Sequence, residues 1–281
     1  SSIKISGDNN GTNKIQQFIN GGFQIGSDVL VNENTSVYHY FAFGGDTVVS
    51  KTGNYYMETG SYTGNGTARS ITGIGFRPDL VVIKDSSTNG AIYKNSIMIG
   101  DSAIGLGILM SISSGVITSL DSDGFSLGTA ASVNNTGNTY YWYAFGNAGC
   151  SNFKLGAYAG TGADNREITG IGFSPDLVEI SASSLGAWRQ SSYVGDSSLR
   201  FYRVASSSDQ IQALSTDGFQ VGTSNVVNAA GTSYSYFAFD SSPGYFSVGK
   251  YVGNASDNRS VTSTGFLPDL VWIKSAANTV A

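Results

Sequence analysis

Charge is scarce in this chain of 281 residues: Asp, Glu, Lys and Arg together make up 12% of it, and the net charge is −5. Clusters of Lys and Arg, which binding to a phosphate backbone requires, are missing, so nucleic acid is not an expected partner. No apolar stretch approaches the roughly 18 residues of a membrane span, and the opening Ser1-Ser2-Ile3-Lys4 has neither an initiator Met nor a signal-peptide core. No window of a dozen residues combines apolar spacing of three and four with helix-start and helix-stop residues, which argues against a helical fold. Cysteine occurs once, as Cys150, and histidine once, as His39. An intramolecular disulfide is therefore excluded. Nucleophile elbows, zinc spacings and phosphate loops are also missing.

What the chain does contain is repetition. Three of its four prolines stand in one phrase written three times: Ile74-Gly75-Phe76-Arg77-Pro78-Asp79-Leu80-Val81, Ile171-Gly172-Phe173-Ser174-Pro175-Asp176-Leu177-Val178 and Thr264-Gly265-Phe266-Leu267-Pro268-Asp269-Leu270-Val271. The prolines lie 97 and 93 residues apart, too far for a solenoid rung and suited to a small β-sandwich with its own core. Two further phrases keep step. One is Asp123-Gly124-Phe125, Asp217-Gly218-Phe219 and Gly21-Gly22-Phe23; the other is the aromatic run Tyr140 to Phe145, Tyr234 to Phe239 and Tyr38 to Phe43.

The register of the copies divides the chain into two whole units, 54–149 and 150–246, flanked by two halves. Residues 1–46 read as the C-terminal half of a unit, since 1–43 align with 197–239 without a gap. Residues 247–281 read as the N-terminal half, aligning with 154–188. Together the halves lack only about eight residues of a third copy. Two whole units in line would hold the ends far apart. The expectation is therefore that the halves pair between molecules, or continue into further chain, rather than close within one molecule. Self-association is the partner this implies, as a homo-oligomer or a head-to-tail filament through the split repeat.

Gly is frequent, at 37 residues, and Tyr and Phe number 16 and 15. Short alternating runs bounded by Gly, Asn and Asp predict an all-β chain of tandem, jelly-roll-like sandwiches of about 94 residues. In the second unit the strands are expected at 153–159, 167–173, 177–182, 188–194, 199–205, 210–214, 219–222 and 234–239. Proline fixes its φ and lacks an N–H, so Phe-x-Pro-Asp marks a corner at a strand end, with the Asp accepting backbone N–H groups. Asp-Gly reads as a hairpin turn. Along Tyr234 to Phe239, alternation predicts one face in the core and the other partly exposed.

Candidate site residues are few. Arg69, Arg166 and Arg259 recur alongside Asp79, Asp176 and Asp269, and the reading is a structural Arg–Asp pair in each unit. Asp121-Ser122-Asp123-Gly124 resembles the opening of a calcium loop, but Asp121 becomes Ser215 in the next copy and no downstream Glu follows; no cofactor is expected, with calcium as the one candidate ion. Catalysis is not expected: His39 is replaced by Tyr141 and Ser235 in the other copies, while Glu167 and Glu179 face Ser70 and Ser260, and Val82 and Trp272. Trp188 and Tyr193 are the candidates for ligand contact, with a glycan of a host surface as the ligand. Asn-x-Ser/Thr triplets at Asn10, Asn34, Asn65, Asn134, Asn254 and Asn258 are what a chain rich in these residues makes by chance.

The stretch Tyr158-Ala159-Gly160-Thr161-Gly162-Ala163-Asp164-Asn165-Arg166 through Pro175-Asp176-Leu177-Val178, and Gly265-Phe266-Leu267-Pro268-Asp269-Leu270-Val271-Trp272-Ile273-Lys274, resembles a repeat domain of unassigned function found in tail-fibre-like proteins of phages and prophages. The resemblance runs over essentially the whole chain in three registers and implies a β-sandwich in a virion or surface protein, without catalytic residues. It departs from the family most in 85–118 and 181–213, where specificity is expected. Three functions follow as expectations: a non-enzymatic structural and adhesive virion component on the virion surface or outside the cell, a subunit of an extracellular filament or surface layer, and a multivalent lectin.

Overall fold

The computed structural model describes residues 13–44, 54–85, 90–106, 114–182, 186–201, 204–241 and 243–277. The chain is almost entirely β, as its alternating patterns predict. The N-terminal half-unit carries β1 (Ile15–Ile19), β2 (Gly22–Ile25), the one-turn α1 (Val29–Asn32) and β3 (Val37–Gly44). The first whole unit carries β4 (Tyr56–Thr63), β5 (Arg69–Thr72), β6 (Leu80–Asp85), β7 (Ala91–Asn95), β8 (Ile104–Leu106), β9 (Ile117–Asp121), β10 (Gly124–Leu127), the one-turn α2 (Ala131–Asn134) and β11 (Thr139–Gly146). In the second follow β12 (Phe153–Ala159), β13 (Arg166–Thr169), β14 (Leu177–Ser181), β15 (Ala187–Gln190), β16 (Ser197–Arg200), β17 (Ser207–Ser208), β18 (Ile211–Ser215), β19 (Gly218–Val221) and β20 (Ser233–Phe239). The C-terminal half adds β21 (Phe246–Val252), β22 (Arg259–Val261) and β23 (Pro268–Ser275).

Each whole unit is a two-sheet antiparallel sandwich with the same strand order. The larger sheets run β4-β11-β6-β7-β8 and β12-β20-β14-β15-β16-β17; the smaller run β5-β10-β9 and β13-β19-β18. The expected strands of the second unit are all present, shortened at β13, β15 and β16. The Asp-Gly hairpins join β9 to β10 and β18 to β19. Their glycines are required less by the turn than by close approach: a Cβ on Gly124 or Gly218 would lie about 2 Å from the carbonyl oxygen of Ile71 or Ile168 on the neighbouring strand.

The two halves close within the chain. β3 lies between β21 and β23, with Phe43 opposite both Phe246 and Leu270, and β2 lies between β1 and β22. This corrects the expectation of pairing between molecules. The reason lies in the aromatic strands, each of which puts residues of both its faces into a core. Along β20, Tyr234, Tyr236 and Ala238 fill the core of their own sandwich, whereas Phe237 and Phe239 enter a second core to which all three units contribute. Tyr140, Trp142 and Ala144 against Phe145, and Tyr38, Tyr40 and Ala42 against Phe41 and Phe43, divide in the same way. At its centre the equivalent Phe43, Phe145 and Phe239 form a triangle, with ring centroids 4.7, 4.9 and 5.0 Å apart. The units therefore turn about a common centre instead of standing in line, which brings the two half-units together. The face expected to be partly exposed is the one that holds the units to each other. Burying such a Phe stabilises by about 1.5–3 kcal/mol.

Candidate functional site

The recurring arginines do not serve the Pro-Asp corner. Arg69, Arg166 and Arg259 lie over the rings of Tyr62, Tyr158 and Tyr251 at 5.0, 5.4 and 5.2 Å, and each of those tyrosines stacks in turn on Tyr140, Tyr234 or Tyr38. Arg166 donates to the Ala159 carbonyl at 2.6 Å and to Asn228 Oδ1 at 3.3 Å; Arg259 donates to the Val252 carbonyl and to Asn32 Oδ1 at 3.2 Å. A guanidinium is suited to both contacts, since it stacks on an aromatic face while its in-plane donors stay free to bond.

The asparagine in this arrangement escaped the sequence reading. Asn32, Asn134 and Asn228 are fully buried, and each pins the loop between the first two strands of its unit. Asn228 donates to Gly222 and Ala163 carbonyls and accepts from Thr161 N; Asn134 donates to Gly128 and Thr67 carbonyls and accepts from Asn65 N. Its regular spacing from the aromatic run is the signal that would have found it. Burial also closes Asn134 to glycosylation in the folded chain.

The corner itself anchors a hairpin tip. Asp79 and Asp176 accept backbone N–H groups through Oδ2, from Ala148 at 2.8 Å and Ser241 at 3.1 Å, beyond the end of the aromatic strand. Asp79 also faces Arg77 at 3.8 Å, its neighbour in the phrase and not the recurring Arg69. Their carbonyls accept from Ser96 N and Ser191 N, the first residues after β7 and β15. Asp269 lies within β23 and is exposed.

Inside each tip stands a buried cation. Lys94 Nζ donates to the carbonyls of Gly100 and Ser102 at 2.7 and 2.9 Å. Arg189, its equivalent, donates to those of Gly195 at 2.7 Å and Ser197, and to Tyr193 and Ile211 at 3.1 and 3.3 Å. Burial pulls the affinity of both groups for their proton down, so each carbonyl also stabilises a desolvated charge. At the apex of these fixed loops stand Ile99, 90% exposed, and Val194, 79% exposed, at equivalent positions. Both fall in the segments where the copies differ most.

The aromatic candidates for ligand contact lie elsewhere. Trp188 is fully buried in the shared core, edge-on to Phe41 at 5.4 Å, and so offers no surface to a ligand. Tyr193 is half-buried between the Arg189 guanidinium and the His39 ring, whose centroid is 4.4 Å away. His39 Nδ1 meets Gln190 Nε2 at 2.8 Å, and burial, with Lys250 and Arg189 nearby, pushes its pKa down to about 4, so it is a neutral acceptor at pH 7. The Cys150 thiol bonds Asn152 Oδ1 at 3.0 Å, and burial raises its pKa. Asp121 accepts from the hydroxyls of Ser119 and Ser126, and Asp123 from the N–H groups of Gly73 and Gly75. Among the described residues no three His, Cys, Asp or Glu side chains group as metal ligands would.

A model of a family described as a domain of unknown function (DUF7483) matches residues 51–154, a span that encloses the first whole unit. No curated protein and no solved structure matches the chain.

Proposed function

We propose that this protein is a non-enzymatic structural and adhesive component of a virion or extracellular surface. In this reading three sandwiches fused about one core serve as a rigid block, and the hairpin tips make contact with a host. The hairpin tips are the observation that carries the adhesive half: an aliphatic side chain is held out into solvent at the same place in two units, on backbone clamped by a buried Lys or Arg. Scattered exposed apolar residues need no explanation, but a matched pair on braced loops does. The resemblance to phage tail-fibre repeats points the same way. The lectin reading has lost Trp188 and Tyr193 as exposed platforms, and a filament built by exchanging half-units has lost its free halves.

The test offers purified protein to bacterial cells and to a glycan panel, beside an Ile99→Ser/Val194→Ser double variant. Saturable binding without turnover, weakened severalfold by the double change, is the expected result. Turnover abolished by one Asp or Glu substitution would overturn the non-enzymatic reading. Absence of binding, or binding indifferent to the double change, would overturn the adhesive one.

A further inference from the structure

The hairpin tip of the second unit, Ser191 to Ser197, is tied across the seam to the third unit through His39 on β3. Tyr193, beside the apex residue Val194, lays its ring against the imidazole with centroids 4.4 Å apart. Gln190, where β15 ends, makes the second link, Nε2 to His39 Nδ1 at 2.8 Å. Arg189 holds the carbonyls on both sides of Val194, those of Tyr193 and Gly195, so a shift of this seat moves the apex.

The other bonds of the Gln190 amide fix its orientation. Oε1 accepts from Ser192 N at 2.8 Å, inside the tip, while Nε2 donates to the Gly249 carbonyl of β21 at 3.2 Å and to Ser192 Oγ at 2.7 Å. The amide therefore presents N–H to His39, whose Nδ1 must offer a lone pair. An imidazolium carries a proton on both nitrogens and cannot accept that bond. Turning the amide to meet it would take Oε1 away from Ser192 N. Among the described residues, the titratable and charged groups on the elements packed against the ring are Lys250 on β21 and Lys274 on β23, its cross-strand neighbours, with Arg189 on β15 and Tyr193 in the tip. Three are cations and one a phenol, so an added proton meets repulsion and no carboxylate among them. The tip of the first unit is built otherwise: Asn95 and Met98 stand for Gln190 and Tyr193, and Ser235 stands where His39 does.

We infer that the tip of the second unit is an acid-released loop: protonation of His39 breaks its seat on the third unit and frees Tyr193 and Val194, while the tip of the first unit stays in place. As a control of host contact this rests on the adhesive reading of the tips; the release itself does not. In the seated tip the imidazole has a pKa of about 4, whereas release returns it to water and towards its ordinary 6.5. The released form holds the proton more tightly, so release is least favoured above pH 6.5 and gains as pH falls from there to 4, by roughly fiftyfold at pH 4.5 relative to pH 7.

The test is amide exchange of the full chain at pH 7 and pH 4.5, corrected for the intrinsic effect of pH. Residues 191–197 should lose protection by tens of fold, and residues 96–102 should keep theirs. Both tips carry an Asp that accepts a backbone N–H, Asp101 from Gly115 and Asp196 from Asp209, so acid acting on that carboxylate would loosen them alike. His39→Gln supplies a neutral acceptor at every pH and should keep the second tip seated at pH 4.5. His39 is the only histidine, so one imidazole NMR signal reports it, and it should titrate well below 6.5. Two tips that loosen together, a His39→Gln tip that loosens as before, or an imidazole that titrates near 6.5 while the tip stays protected would each overturn the inference. If His39→Gln disturbs folding, the comparison of tips and the NMR titration in the unaltered chain decide. None of these readouts involves a host, so the adhesive reading can fail without this one.

Discussion

Two of the contacts between neighbouring units solve the same geometric problem with different chemistry. Where the first unit meets the second, Tyr93 threads its hydroxyl between Ser181 and Ser235, and the buried Glu179 lies near it. Where the second meets the third, the contact is aromatic: Trp188, Phe41, Trp272 and Phe201 lie against each other at centroid distances of 4.8 to 6.4 Å. A position facing the common centre is therefore bound to be buried but not to be apolar. Glu179 stands where the other units have Val82 and Trp272. Burial drives its pKa from 4.5 to about 8, so at neutral pH it is protonated.

The strongest way to break this contrast is to titrate it. The unfolded chain releases the Glu179 proton near pH 4.5, while the folded chain retains it until about pH 8. Folding stability should therefore be whole below pH 4.5 and fall as pH rises to 8, by up to about 5 kcal/mol at the customary value per pKa unit. Glu179→Val should remove that slope, as seen in denaturant melts at a series of pH values; a slope unchanged by the substitution would show that the carboxyl is solvated. Next in size is the centre of the ring. Phe43→Ala, Phe145→Ala and Phe239→Ala should each cost about 3–5 kcal/mol, alike in the three units, because each removes one corner of the same triangle. Unequal losses would show that one seam closes the ring more tightly than the others.

Smaller effects compare the loops. Asn228→Ala leaves the Gly222 and Ala163 carbonyls and the Thr161 N–H without their partner, at about 2–3 kcal/mol, and Asn134→Ala should match it. The smallest concerns one residue. Gly66 and Gly162 occupy left-handed backbone at φ 73°, and the third unit places Ala255 there at φ 57°. Ala255→Gly should stabilise by about 0.5–1 kcal/mol and Gly162→Ala should destabilise by about 1 kcal/mol, both read from thermal melts.

The unit length, the strands of the second copy and the Pro-Asp corner were legible because local physics sets them: period-two alternation, a fixed proline φ, a hairpin at Asp-Gly. The partner of Arg166 was not. Two residues that recur together can each serve a third, and here Tyr158 and Asn228 take the guanidinium while Asp176 takes a backbone N–H. Alternation along Tyr234 to Phe239 separates two faces but does not say what covers either. That gap explains both the misplaced exposure of Phe237 and the misjudged pairing of the half-units. Trp188 failed for the same reason. The hairpin tips lay in the segments singled out for specificity, but their bracing by Lys94 and Arg189 depends on carbonyls that carry no mark in the sequence.

The seating of β3 between β21 and β23 also governs the order in which the molecule can be made. Phe43 and Phe246, its cross-strand neighbour, are separated by roughly two hundred residues, so during synthesis the first aromatic strand leaves the ribosome long before either of its companions. At common translation rates the interval is roughly 10 to 40 s, against microseconds for a hairpin to form. Both whole units can fold in that time. The leading half-unit cannot, and must wait with Tyr38 to Phe43 unburied until the last strands arrive to lock the circle.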